Sequence, residues 1–367
     1  MADAKPPVPE LAIAVIPGDG IGAEVVAVGR AAVEVAAARS GAFTVRWTEF
    51  GWGCDYYARH GRMMAADGLD QLRGFDAIYF GAVGWPTVPD HVSLWGLRLA
   101  ICQGLDLWAN IRPVTFLPGI QGPLRNTGLA GTSWVMVREN SEGEYSGIGG
   151  RNLGARGQGG EVALETALFT DAGCERIMRH AFELALGRPV RHVTSVTKSN
   201  AQRFGMVLWD EVLERVAGDY PGVSTDRCLV DAMAARMVLK PESLSVVVAS
   251  NLHADILSDL GSALSGGLGL GCSANLNPQR RAPSMFAPVH GSAPALAGRG
   301  IANPIGAVAS AAMMLDHLGH AAEAGWISGA VRSTVADGFL TPDLGGSSTS
   351  AEFCDQLIGR IGQAAEI

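Results

Sequence analysis

The chain has 367 residues, 48% apolar and 17% charged, which is ample for a buried core and excludes wholesale disorder. Lys and Arg total 28 against 36 Asp and Glu, so the net charge is −8, and with no basic run nucleic acid and anionic membranes are excluded as partners. No apolar stretch nears the ~20 residues of a bilayer span, and MADAKPPVPE lacks the parts of a secretory signal.

Residues 1–10 therefore read as a flexible leader to a cytoplasmic protein. LAIAVIPGDG (11–20) is an apolar, β-branched run delivered into a turn. GAEVVAVGRAAVEVAAAR reads as an Ala-rich helix, FTVRWTEF (43–50) as a strand, LDQLRG as a helix and FDAIYFGAVG as a buried strand. Further strands are expected at 134–140, 191–200 and 245–251, with helices at DAGCERIMRHAFELAL and WDEVLERVAG between them. The glycine-rich segment 145–162 has no apolar periodicity and reads as an arm outside the core. The last third returns to helices, ANPIGAVASAAMMLDHLG and AAEAGWISGAVRSTVADG. Alternating strand and helix predicts an α/β architecture. Six cysteines without a CxxC pair read as reduced thiols, not a disulfide frame or a zinc site.

Several residue groups carry chemistry. Gly18-Asp19-Gly20-Ile21-Gly22 is GxGxG, not GxGxxG, and no acidic residue closes a second strand ~20 residues on; a tight turn explains it better than a Rossmann fingerprint. Asp255 and Asp259 stand at i, i+4, so a helix puts both carboxylates on one face. That is either a solvated face or a pair of hard oxygen ligands suited to Mg²⁺ or Mn²⁺, with Asp231 in CLVDAMAARMV as a third carboxylate. Arg112 and Arg138, at strand ends near glycine turns, suit bidentate capture of carboxylates. Tyr145 follows Arg138 by seven residues, and Lys198 ends a strand in SVTKSN. Singly each is an ordinary salt-bridge partner or half-buried phenol; together they outline a proton-transfer site.

IPGDGIGAE (16–24), ANIRPV (109–114), VRENSEGEYSG (137–147), VTKSN (196–200), VDAMA (230–234), SNLHADILSDLGSAL (250–264) and PVHGSAPALAGRGIANP (288–304) occur in this order. From about residue 11 to 365 the chain resembles the β-decarboxylating dehydrogenases, which include the isopropylmalate, isocitrate, tartrate and D-malate enzymes. TVPDHVSLWG (87–96) is most similar to the tartrate and D-malate branch. The resemblance implies an isopropylmalate-dehydrogenase-like two-domain α/β fold with a mostly parallel sheet, not Rossmann. The first domain would comprise 11–107 plus 266–367 and the second 108–265, with an arm around 145–170. It implies a homodimer whose active sites share residues across the interface. Carried over by motif, Arg112 and Arg138 would bind substrate carboxylate and Tyr145 would be the acid. Lys198 from the neighbouring subunit would be the base. Asp231, also from the neighbour, would hold Mg²⁺ or Mn²⁺ with Asp255 and Asp259. His290, Gly291, Ser292, Ala293 and Asn303 match the loop for the adenine end of NAD, and Asn200 would lie near the nicotinamide.

Three positions depart from the family pattern. Cys102 stands where an arginine is usual, with Arg98 four residues earlier as a displaced guanidinium or a plain surface residue. Ala287 replaces a glutamate, and Ala295 an aspartate that contacts the adenosine ribose. The expected activity is metal-dependent oxidation, usually with decarboxylation, of a small 2-hydroxy dicarboxylic acid such as tartrate or D-malate with NAD. Trp95, Arg98 and Leu99 make the pocket-side segment bulkier and more polar than an isopropyl group wants. Its rivals are 3-isopropylmalate, an unusual hydroxy-acid of one pathway, and a non-catalytic regulatory paralogue.

Overall fold

Runs of β-branched and aromatic residues bounded by glycine and proline become the strands. The computed structural model describes residues 8–125, 128–152 and 160–363. Among them are β1 (Glu10–Gly18), β2 (Thr44–Glu49), β3 (Ala77–Ala82), β4 (Ala109–Thr115), β5 (Ser133–Glu139), β6 (Gly143–Asn152), β7 (Val162–Leu168), β8 (His192–Thr197), β9 (Ser224–Leu229), β10 (Val246–Ala249), β11 (Cys272–Leu276) and β12 (Ser284–Pro288). Of the expected leader, residues 1–7 lie outside the described residues, and Glu10 already belongs to β1. The chain divides into two units, one of residues up to 107, 115–131 and from 262 onward, the other of 108–114 and 132–261.

In the first unit the strand order is β2-β1-β3-β12-β11. All neighbours run parallel except β11 and β12. β3 is buried at every position, as a parallel strand covered on both faces must be. Helices Gly22–Ser40 and Ile305–His317 cover the sheet on one side, where the buried Tyr79 hydroxyl donates to the Ala307 carbonyl at 2.8 Å. Ile78, Phe80 and Met285 pack against Trp52, Met63, Leu97 and Ile101 in a second cluster. Segment 115–131 departs from the expected division, which gave it to the second domain. Its glycines explain why: Gly119 lies against the Val335 carbonyl and Gly122 against that of Leu264, both first-unit groups. The later boundary falls after Gly261 instead of after Ser265.

The second unit has the order β4-β5-β10-β8-β9, with β5, β10, β8 and β9 successively parallel. Helices Asp171–Leu186 and Gly205–Asp219 pack on each other and on these strands. The first begins where Thr170 caps it, its hydroxyl accepting from Gly173 N at 2.9 Å. Helix Asn251–Ser265 follows β10 and is held close by Gly261, where a Cβ would stand 2.7 Å from the buried Trp134 ring. The expected arm is an antiparallel ribbon of β6 and β7, and β7 is exposed at every position. Among the described residues no helix is long and apolar enough to cross a membrane.

Candidate active site

Parallel pairing brings the carboxyl ends of β5, β10, β8 and β9 to one edge of the second unit's sheet, where α/β proteins bind ligands. Arg138 is the penultimate residue of β5, and Asp255 lies in the helix after β10. Lys198 follows β8, and Asp231 opens the helix after β9.

Asp255 is the hub. Its Oδ1 accepts from Arg112 Nη2 at 3.1 Å and from Arg138 Nη1, and its Oδ2 accepts from the Tyr145 hydroxyl at 3.0 Å. The Arg138 guanidinium lies 5.2 Å from the centre of the Tyr145 ring. Asp259, one helical turn on, stands 3.5 Å from Arg112 Nη1. Both guanidinium side chains are 3% exposed, against 32% for Asp255 and 52% for Asp259. Two buried cations thus face two carboxylates, and the group is neutral as a whole. Such a cluster offers fixed positive charge to a substrate carboxylate, a phenol proton, and hard oxygens to a cation.

Lys198 and Asp231 form a separate pair, Nζ to Oδ1 at 2.5 Å. The hydrogen bond from that ammonium holds Asp231 below the usual carboxylate range. β9 lies two strands from β10, roughly 10 Å away at ordinary strand spacing. Among the described residues no three His, Cys, Asp or Glu side chains are arranged so that they could hold a metal ion. Asp231 of the same chain does not join Asp255 and Asp259. Asn200 is exposed just beyond Lys198.

In the first unit, Val83, Gly84, Trp85, Pro86 and Asp90 face Gly291, Ser292, Ala293 and Pro294 across a pocket of about 570 Å³. Burial lowers the His290 pKa, so the imidazole is neutral. Its Nδ1 lies 2.9 Å from the Gly291 carbonyl, and its buried Nε2 has no partner among the described residues. A neutral ring with a spare acceptor beside an open glycine suits a ligand N–H or O–H. Ala293 holds a positive φ of 39°, a strained conformation of the kind kept at binding loops. Asn303 spends its amide internally: Nδ2 donates to Asp343 and Oδ1 accepts from Ile305 N, both at 3.0 Å.

The sequence matches isocitrate/isopropylmalate dehydrogenase over residues 12–359. A probable tartrate dehydrogenase/decarboxylase of Agrobacterium vitis is 56% identical over 96% of this chain and 98% of its own. The D-malate dehydrogenase (decarboxylating) of Escherichia coli is 47% identical, over 94% and 97%. The crystal structure of isocitrate dehydrogenase from Methylococcus capsulatus superposes with TM-score 0.87 at 33% identity, covering 96% of this chain and all of that one. The chain belongs to the isocitrate/isopropylmalate dehydrogenase family.

Relative to other members of this dehydrogenase family, the departures have clear settings. Cys102 is 3% exposed, its Sγ 3.8 Å from Asn275 Oδ1, so it belongs to the core. Arg98 lies in a π-helical turn, Leu94–Leu99, is half-buried, and makes no hydrogen bond or ion pair among the described residues. Ala287 is buried in β12, and Ala295 is exposed. Three supporting residues escaped the sequence reading. Asn110 Oδ1 accepts from Arg112 Nε at 2.7 Å, and Ser258 Oγ from Arg112 Nη1 at 2.7 Å. Asn251 Oδ1 accepts from Arg138 Nε at 2.9 Å while its Nδ2 donates to the Glu142 carbonyl at 3.1 Å. The signals were present. Asn110 and Arg112 are two apart in a strand, and Asn251, Asp255 and Ser258 share a helix face.

Proposed function

We propose that the protein catalyses oxidative decarboxylation of a small 2-hydroxy dicarboxylic acid, tartrate or D-malate in kind, with NAD and Mg²⁺ or Mn²⁺. The observation that carries this reading is the meeting of Arg112, Arg138 and Tyr145 on Asp255, beside Asp259. The relatives, described as tartrate and D-malate enzymes, support the same substrate class.

In this reading Arg112 and Arg138 swing from Asp255 to the substrate carboxylates, which present the same acceptor geometry. Asp255 and Asp259, freed of the guanidiniums, would hold the cation with Asp231 from a second copy of the chain. A cation bound there would supply Lewis-acid polarisation of the reacting oxygen. Lys198 of that second copy would take the hydroxyl proton, and NAD, when bound, would supply the hydride acceptor for C2. The β-carboxylate then departs as CO₂, its bonding electrons entering an enolate, and Tyr145 delivers the proton that quenches it at carbon. His290 Nε2 and the loop through Ala293 receive the adenine end of the dinucleotide, with Asn303 as a support and Asn200 near the nicotinamide. Arg98 adds a further guanidinium for the acid.

A homodimer fits the exposed surface. Ile148, Val162 and Leu164 of the ribbon are 47%, 57% and 67% exposed, and Leu239 and Ile256 of two second-unit helices 75% and 59%. A lone two-stranded ribbon is marginal in water and gains stability when covered. The cytoplasm remains the expected compartment.

A panel assay tests the proposal: NAD⁺ reduction with Mn²⁺ and D-malate, the tartrates, 3-isopropylmalate or isocitrate, with CO₂ trapped in parallel. Highest kcat/KM on D-malate or a tartrate supports it. Highest kcat/KM on 3-isopropylmalate reverses the substrate class, and no metal-stimulated reduction with any acid favours a non-catalytic paralogue.

A further inference from the structure

The turn after β1, which carries GDGIG, makes contacts that the proposed chemistry does not use. Asp19 is 8% exposed, and no basic side chain pairs with it among the described residues. Its carboxylate instead accepts two backbone amides from two separate loops, Cys54 N on Oδ1 and Gly84 N on Oδ2, both at 2.8 Å. Its own N–H donates to the Ala82 carbonyl at 2.8 Å, which ties the turn to the end of β3. Two residues on, Ile21 N donates to the Ser292 carbonyl at 2.9 Å. Gly20 makes that approach possible, because a Cβ there would stand 2.0 Å from the same carbonyl oxygen, and its φ of 59° suits glycine. Gly84 and Ser292 are the two facing walls of the 570 Å³ pocket.

We propose that Asp19 is a positioning residue for dinucleotide binding, the clasp that sets the gap between the Gly84 and Ser292 walls. This rests on the reading of that pocket as the cofactor site. A carboxylate is what the position needs: two amide donors converge on it, and each requires its own acceptor. An amide side chain has one acceptor oxygen, so its NH₂ would meet one backbone N–H head-on and leave that donor unsatisfied. The Gly84 strap would then move off, and the pocket with it. The first glycine turn thus acts through its buried acid, not by cradling phosphate on its amides.

The test is Asp19→Asn, with NADH affinity read from quenching of tryptophan fluorescence, since Trp85 lines the pocket. The expected result is a dissociation constant for NADH raised about 10- to 100-fold, the loss typical of a misplaced binding wall. The KM of the hydroxy-acid should stay within about twofold. If Asp19→Asn does not fold, Gly20→Ala springs the same clasp from the Ser292 side and is expected to move NADH affinity likewise. Wild type that binds NADH together with a folded variant that binds it equally well overturns the clasp alone. So does a parallel rise in both substrates' constants. Wild type that leaves NADH unbound at millimolar concentration overturns the cofactor reading and the clasp together.

Discussion

Asp255→Asn removes one charge at nearly constant volume and leaves Arg112 and Arg138 a neutral acceptor where they shared an anion. Both guanidiniums are 3% exposed, and the neighbouring anion, Asp259, stands 3.5 Å from Arg112. Breaking a buried pair by deleting one partner costs about 3–5 kcal/mol. Asp255 is itself 32% exposed, so water takes up part of the loss and about 2–3 kcal/mol remains. The variant should therefore unfold at lower urea than wild type with an unchanged slope, followed by circular dichroism at neutral pH. It should also respond differently to anions. The uncompensated guanidiniums become a dicarboxylate site, and a dicarboxylate at about ten times its dissociation constant should return ~1.4 kcal/mol. Wild type, whose cluster is already neutral, should gain less. A variant as stable as wild type, stabilised no more by dicarboxylate, would refute the charge balance argued for this cluster.

The proposed sharing of active sites between subunits predicts complementation. Tyr145→Phe and Lys198→Ala should each be nearly inactive, while the two refolded together recover about a quarter of wild-type activity, because half of the dimers keep one intact site; no recovery means that each chain serves only itself. Arg98→Leu should raise the KM for the dicarboxylic acid about tenfold with kcat little changed, and an unchanged KM removes Arg98 from recognition. Burial pushes the pKa of His180 down to about 4, beneath the Trp108 ring it meets edge-on. From its ordinary value near 6.5 down to that point the unfolded chain binds a proton that the fold refuses, so stability falls as pH drops, by about 1–3 kcal/mol. His180→Phe should lose less stability between pH 7 and 4.5 in urea titrations, and equal losses would clear His180 of that role.

The parts of the fold legible in the sequence were those whose burial shows in the run of apolar residues. β3 and β10 are unbroken apolar runs because both faces are covered; the α/β architecture follows from alternating strand and helix, and the mostly parallel sheet from the resemblance. The ribbon of β6 and β7 was read only as an arm, since exposed strands need no alternation. The π-turn at Leu94–Leu99 has no sequence signature, and segment 115–131 was assigned to the wrong unit because its contacts are made by glycines against distant carbonyls. At the site, Asp255 and Asp259 declared themselves by spacing along one helix. That Asp255 gathers both arginines and Tyr145 is tertiary, depending on Gly261 seating the helix on Trp134. GDGIG reads as a tight turn, and nothing in its letters reveals where the Asp19 oxygens reach.

The first unit is built from both ends of the chain. Ala77 pairs with Ser284, and helix 350–363 packs on helix 22–40. During synthesis its early strands must wait, unpaired on one side, while the whole of 132–261 emerges. That nearly continuous stretch holds most of its own partners and can mature on the ribosome first. Folding order therefore runs against reading order, and the amino-terminal strands are the nascent chain's period of greatest exposure to mispairing.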